Sequence, residues 1–491
     1  MPWPVAWLGL FLLCVYQGGL FALLLWAVRR GEDRLGLAPL WTLTVAYPAV
    51  EFFYPLLFPY SIGASQYRFS AITQIVEVTG LLGLTALIGL VNGAVYELVD
   101  ASLGRRRPAA WRLAVPAALF VLALAYGLVR IPRSTASPPP QPGSRLRWCR
   151  RTWGPGTRVP TPSSSSGSTR TCPGRRSPPI RTSISSSGPR RPTIAGFPGP
   201  GEHARGGYTG ARSSDDLGAR TYRRRPDGGA DTFNTALLTS ASGDVLGSYD
   251  KIELLLFGER IPLANTFPEI RRWFPRSSTF TSGESLEPLR LGALTFLPTI
   301  CYEDILPALV RRLWRSGGPT SVLINLTNDS WFGDSHEPMI HLALASFRAI
   351  ETRRALIRST NTGISALVDP VGRITARSGQ WRREVVVGDV PVIERGDSTV
   401  YMRVGDIVGW LACGGVLLGV VAARRARDRV VGPRGGSVLP RPRRPMVPVE
   451  MRSPTPLAGP VADALPGRRH HGLPRSSNSS ATSLRDLTST G

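Results

Sequence analysis

The chain has 491 residues, of which 59 are basic and 34 acidic, giving a formal net charge of +25, and 42% are hydrophobic. That apolar share fits neither a wholly soluble nor a wholly membrane-buried chain. Such a charge ordinarily draws nucleic acid or anionic lipid. Nucleic acid is excluded as the expected partner, because the arginines lie in Pro-, Ser- and Gly-rich stretches without interleaved aromatics to stack bases.

Four apolar spans, at 3–28, 37–58, 72–98 and 113–131, open the chain, and a fifth at 407–423 follows its central region. Crossing a bilayer takes ~20 mostly apolar residues, and five such spans argue against buried core helices. The first runs on into arginines without a cleavage pattern. Arg29, Arg30 and Arg34 follow the first span, Arg105, Arg107 and Arg112 separate the third and fourth, and Arg424, Arg425, Arg427 and Arg429 follow the fifth. The positive-inside rule makes these segments cytoplasmic. The loop at 60–71 and everything from 132 to 406 then face outward. Glu51 and Glu77 lie inside apolar spans, either as functional groups or as interfacial residues that snorkel.

Residues 133–201 read as Ser, Pro, Arg, Gly and Thr with no recognisable strand. From Thr232 the pattern becomes α/β, with short apolar runs at 233–238, 245–251, 289–299 and 321–325 as strands. Residues 337–358 carry Ile340, Leu344, Phe347 and Ile350 at helical spacing. The tail, 424–491, lacks periodicity and reads as disordered.

The five cysteines show no CxxC pair and no metal-ligand spacing. Cys14 and Cys413 sit in apolar spans as inert side chains. Cys301 ends an apolar strand, where a sharp turn exposes sulfur and presents backbone N–H groups to a developing oxyanion. A lone cysteine there is more often a small buried hydrophobe, so its neighbours decide. Lys251 is the only lysine in an arginine-rich chain, which points to a position where a planar, permanently charged guanidinium will not serve.

Those neighbours resemble the nitrilase superfamily, and within it the apolipoprotein N-acyltransferase branch. Tyr249-Asp250-Lys251, with Phe257-Gly258-Glu259-Arg260-Ile261-Pro262 behind it, is similar to the lysine strand and second glutamate of that superfamily. Cys301-Tyr302-Glu303 is similar to its nucleophile segment. Asn325-Leu326-Thr327-Asn328-Asp329-Ser330-Trp331-Phe332-Gly333, Phe347-Arg348-Ala349-Ile350-Glu351 and Asn361-Thr362-Gly363-Ile364-Ser365 resemble the acyltransferase branch. So do Val50-Glu51, Gly63-Ala64-Ser65-Gln66 and Gly80-Leu81-Leu82-Gly83-Leu84 in the membrane part.

The resemblance implies a multi-pass α-helical membrane part plus an extracytoplasmic α/β nitrilase-like domain, an α-β-β-α sandwich, in a bacterial inner membrane. It implies Cys301 as nucleophile, Lys251 as oxyanion stabiliser, and Glu259 and Glu303 in support. The donor would be a phospholipid, and the acceptor the N-terminal amine of a diacylglyceryl-cysteine lipoprotein. No metal or organic cofactor is implied. Two other readings are a membrane-anchored amidase or nitrilase, and an inactive product of a disrupted gene.

The chain departs from the family at the general base, which belongs in a Trp-Pro-Glu segment upstream of the lysine. No Asp or Glu lies between Ala101 and Gly201, and Glu202, the nearest carboxylate, sits among Gly and Pro. A frameshift accounts for the absence. With permitted codons chosen, residues 179–191 read from the third base of each codon give DPDLDLLVWPEA, and residues 147–154 give VVQADLG. A serine TCN codon read that way always yields Leu, Ile, Val or Phe, so a serine run conceals an apolar strand. The expected organisation is 1–131 as four membrane spans, 132–231 as a frameshifted start of the catalytic domain, 232–406 as the remainder of that domain, 407–423 as a membrane helix and 424–491 as tail.

Overall fold

A computed structural model describes residues 3–56, 58–105, 107–135, 145–151, 180–183, 219–224, 230–239, 245–264, 266–273, 280–318, 320–382, 384–393 and 398–430. The expected Trp-Pro-Glu position at 187–190, Cys172, Glu202 and the tail beyond 430 lie outside the described residues.

The apolar spans form helices, which satisfy their own backbone groups where no water can. These are α1 (Trp3–Leu35), α2 (Pro39–Phe53), the single turn α3 (Ser70–Thr73), α4 (Val76–Ser102) and α5 (Ala110–Thr135). Together with a C-terminal helix, α1, α4 and α5 are long and apolar enough to cross a membrane, four among the described residues. The second expected span falls short. Helix α2 has 15 residues and rises ~22 Å against a hydrocarbon core of ~30 Å. Pro55 stops it, because a residue preceding proline is pushed out of the helical region, and Tyr54 is extended at φ −74 and ψ 119. In α4, Gly80 has φ +67, and a Cβ there would come within 2.5 Å of the Tyr401 ring.

The α/β domain contributes β1 (Arg145–Arg151), β2 (Ile180–Ser183), β3 (Ala219–Arg224), β4 (Ala230–Thr239), β5 (Val245–Asp250), α6 (Ile270–Trp273), β6 (Leu289–Leu291) and β7 (Leu294–Ile300). Then come α7 (Pro307–Gly317), β8 (Val322–Thr327), α8 (Glu337–Thr352), β9 (Leu356–Thr360), β10 (Ala366–Val368), β11 (Ile374–Arg377) and β12 (Val385–Pro391). The chain returns to the bundle through α9 (Val400–Val404) and α10 (Ile407–Val430). One sheet runs β11-β10-β9-β8-β7-β6, with β7, β8 and β9 parallel; two three-stranded sheets run β12-β1-β2 and β3-β4-β5. Strand β9 is buried at every position, as a central parallel strand covered on both faces should be. Phe296, Leu297, Leu323 and Ile357 of the large sheet pack with Leu313 of α7, Leu342 of α8, Tyr249 of β5 and Val390 of β12 in one core.

Three expected elements change. The run at 289–299 is a hairpin, β6 and β7, turned at Gly292 with φ +58. The helix expected to reach 358 stops at Thr352, because Arg353 takes a left-handed φ 52 and ψ 41, and Leu356 then starts β9. Residues 133–201 are not strand-free: β1 pairs antiparallel with β12 and parallel with β2. A sheet edge offers unpaired backbone groups to any extended segment, whatever its side chains. Both strands overlap the stretches, 147–154 and 179–191, that the shifted frame reads as apolar.

Bundle and domain meet at a buried clamp. Val76, Leu81 and Leu84 of α4 pack against Leu344, Phe347 and Ile350 of α8 and against Ile305. Within this contact Glu77 pairs with Arg353, which also donates to Gln74 Oε1 at 2.6 Å and the Pro370 carbonyl at 3.2 Å. Arg130 adds a second ion pair to Glu77 at 2.6 Å, and Tyr126 a hydroxyl. Glu51 is equally engaged, accepting from Ser61, the Ile62 amide and Thr85 at 2.7–2.9 Å. Neither carboxylate snorkels; each ties elements together. Glu77→Ala would leave Arg353 buried without its carboxylate, which costs about 3–5 kcal/mol. The thermal midpoint of the detergent-solubilised protein should drop accordingly, and an unchanged midpoint would show that the pair adds no stability.

Candidate active site

Strand β7 delivers Cys301 at its C-terminal end, where the chain breaks into a 3-10 turn over Cys301–Ile305. Cys301 holds φ +56, a conformation costly for a residue with a Cβ and retained only where the surroundings over-determine it. Its thiol is free and partly accessible.

Register explains what holds this turn. Thr299 of β7 lies opposite Asn325 of β8, and Asn325 opposite Arg358 of β9, so three polar side chains form a row across the parallel strands. The Asn325 carboxamide donates to the Cys301 carbonyl at 3.0 Å and to the Thr299 hydroxyl at 3.2 Å. Its own oxygen accepts from Arg358 at 3.2 Å. Arg358 in turn pairs with Asp304 and with Asp329 at 3.3 Å. His341 of α8 bridges the same two carboxylates, at 2.9 Å and 3.3 Å. Two cations thus face two carboxylates in a fully buried cluster, which a low-dielectric interior tolerates because the charges balance. Burial and Arg358 work against protonation of His341, but Asp304 and Asp329 outweigh them and carry it up to about 10.

Strand β5 and the loop after it supply the second half. Lys251 is 1% exposed, and its Nζ donates to Glu259 Oε2 at 2.6 Å. Glu259 also accepts from Asn234 at 3.0 Å and from the Leu255 amide at 2.9 Å. The ammonium lies 5.1 Å from the centre of the Tyr302 ring. Burial pulls Lys251 down, yet Cys301, Glu259 and Glu303 together raise it above the ordinary lysine range. Held against Glu259 in this way, it is placed to act as a hydrogen-bond donor.

Glu303 has a different position from Glu259. It accepts from the amides of Ile252 (2.8 Å), Glu253 (2.9 Å) and Ile300 (2.8 Å) and from the Tyr249 hydroxyl (3.0 Å). It clasps the lysine loop to the turn at Cys301. Complete burial pushes it up to about 7, although Lys251 and the amides oppose this.

The structure therefore brings Cys301, Lys251, Glu259 and Glu303 to one place. Sequence reading missed the role of Asn325 and the cluster of Arg358, Asp304, Asp329 and His341. One signal was available: an arginine directly after the apolar pair Leu356-Ile357 needs charged partners if their short strand is buried. Among the described residues, no carboxylate forms a hydrogen bond with the thiol.

A carbon-nitrogen hydrolase family model matches residues 217–396. An apolipoprotein N-acyltransferase N-terminal domain model matches residues 1–94. The apolipoprotein N-acyltransferase of Geobacter metallireducens is 29% identical over 442 residues, covering 87% of this chain and 82% of the relative. The chain belongs to the apolipoprotein N-acyltransferase family. It is thus a membrane enzyme, an acyltransferase on a nitrilase-like fold with a role in lipoprotein N-acylation. Other relatives of the same name match over less of their length. That of Bdellovibrio bacteriovorus is 38% identical over 164 residues, 32% of this chain and 30% of its own. That of Bradyrhizobium diazoefficiens is 38% identical over 199 residues, 40% and 35%. Among solved structures, Saccharomyces cerevisiae Nit3, a member of branch 10 of the nitrilase superfamily, aligns at TM-score 0.26 and 18% identity over 36% of this chain and 59% of Nit3, too slight a likeness to bear on function.

His341 makes the domain sensitive to alkali. Its folded value of about 10 lies above the ordinary 6.5, so its stabilisation is complete below about pH 6.5 and is lost as pH rises through 10. The thermal midpoint of the unsubstituted protein should fall more steeply between pH 7 and 10 than that of His341→Gln. Parallel slopes would mean that His341 carries no extra proton in the folded state.

Proposed function

We infer that Cys301 carries an acyl chain from a phospholipid to the N-terminal amine of a diacylglyceryl-cysteine lipoprotein. The observation that carries this reading is the buried Lys251–Glu259 pair set beside a left-handed Cys301, in a domain clamped onto membrane helices. The thiolate attacks the sn-1 ester carbonyl, and Lys251 donates to the oxyanion that forms. The C–O bond breaks, a lysophospholipid leaves with a proton, and a thioester remains. The lipoprotein amine then attacks this carbonyl, the C–S bond breaks, and an amide forms as the thiol regains its proton. Glu259 orients Lys251, and Glu303 holds the nucleophile turn.

The same reading places the missing base out of frame within 132–231. Three observations support it. No carboxylate lies between Ala101 and Gly201, the catalytic-domain family match begins only at 217, and β1 and β2 fall where the shifted frame reads as strands. With Lys251 protonated and Glu259 committed to it, nothing else described here replaces the base. The chain as written is then close to inactive, since losing one member of a cooperating set costs about a thousandfold or more.

The test expresses the chain and a frame-repaired version at matched membrane levels with a fluorescent phospholipid and a lipopeptide acceptor. The repaired form should acylate the peptide and trap label as a thioester on Cys301, and Cys301→Ala should abolish both. Label on another residue would overturn the nucleophile. Hydrolysis without transfer would favour an amidase-like enzyme, and equal activity of both forms would overturn the frame reading.

The domain is further proposed to face outward from the bacterial inner membrane, on the strength of the arginines at 105, 107 and 424–425. Reporter fusions after Arg107 and Arg425 should read cytoplasm and one at Gly372 the outer side. A cytoplasmic signal at Gly372 would reverse the assignment.

A further inference from the structure

A second concavity, of about 410 Å³, lies between the loop that leads into α4 and the β10–β11 turn. Strand β11 alternates faces, as strands do. Arg373, Thr375 and Arg377 are exposed along one face, while Ile374 and Ala376 are partly buried on the other. Arg68, Ser70 and Met339 line the same space. Three guanidinium groups thus border one small space.

Of these, Arg373 acts on the Asp369 carboxylate through space. Among the described residues none of the three forms an ion pair. Arg68 donates to the Tyr67 hydroxyl at 2.9 Å and stacks on that ring. Arg377 reaches only the Met339 sulfur, at 3.6 Å, a weak and uncharged acceptor. Asp369, the nearest carboxylate on the turn, accepts from the backbone amides of Val371 and Arg373, at 3.0 Å and 2.8 Å. That leaves it holding the turn in shape. Gly372, at φ +82, allows the turn to close against Ile350. The wall bearing Arg373 and Arg377 is therefore built before any ligand arrives.

We propose that this pocket binds the phosphate of a phospholipid headgroup, at a site separate from Cys301. Guanidinium forks match phosphate oxygens in pairs, and the Ser70 hydroxyl lines the same space; that of Thr375 is engaged, donating to the Leu367 carbonyl at 3.2 Å. Depth selects the source. Ser70 lies six residues before Val76, where a membrane-crossing helix begins, so the pocket sits at headgroup level, where lipid phosphate is the abundant anion. The reading requires a membrane-embedded chain but not a working Cys301, so it stands or falls independently of acyl transfer.

The test uses the full chain in detergent, with native mass spectrometry and thermal shift against phosphatidylglycerol, phosphatidylcholine and inorganic phosphate. Phosphatidylglycerol should bind and raise the melting midpoint. Arg373→Gln combined with Arg377→Gln should weaken it about thirtyfold, taking each arginine at an anionic lipid surface at its usual strength. Arg271→Gln with Arg272→Gln, an equal charge change on α6, should leave binding within twofold. If both pairs weaken binding equally, general charge attraction explains it and the pocket is not a site. If inorganic phosphate binds and is lost with the arginines while lipid does not, the lipid source is wrong. Should the double variant unfold, Arg68→Gln alone supplies the same comparison, and lipid binding unchanged in it would overturn the proposal.

Discussion

The Asn325 carboxamide, donating to the Cys301 carbonyl while accepting from Arg358, is the contact on which the site depends. A cysteine in the left-handed region relaxes unless something fixes its carbonyl, and here the fixing group is itself anchored in a buried, charge-balanced cluster. The strain at Cys301 is borne by Arg358, Asp304, Asp329 and His341, on four different segments of the chain. Each is hydrogen-bonded, so the cluster resists the small shifts that would turn the sulfur away from its working position.

Helix α8 carries this rigidity to the membrane. Its His341 belongs to the cluster behind Cys301, its Leu344, Phe347 and Ile350 pack on α4, and its cap residue Arg353 pairs with Glu77. A single 16-residue helix thus fixes the height of Cys301 relative to the bundle. For the proposed acyl transfer from a phospholipid, that height would decide whether an ester carbonyl and the thiol can meet. The lysine half is joined to the same frame through Glu303, which clasps the amides on either side of the two segments.

Against this half stands the segment around β1 and β2, where the proposed reading puts the base. Backbone pairing along β12 is available to almost any extended chain, so β1 and β2 form there although their residues are arginine- and serine-rich. Sheet hydrogen bonds specify a place for a strand, but only side chains supply chemistry.

The sequence by itself determined the membrane spans, the strands that carry Lys251 and Cys301, and the pairing of those two residues with Glu259 and Glu303. Each is written in local runs of apolar residues or in contiguous motifs that resemble a known family. Where local rules competed, it misled: Pro55 cut α2 short, Gly292 split one strand into a hairpin, and Arg353 ended α8 early. Only the tertiary structure decided the rest. The row Thr299–Asn325–Arg358 arises from the register of strands about 30 residues apart in the chain. The partners of Glu77 arise from helix packing across nearly 280 residues. Neither has a local signature, because a buried charge is legible in sequence only as an anomaly, and the group that balances it is chosen by packing in space.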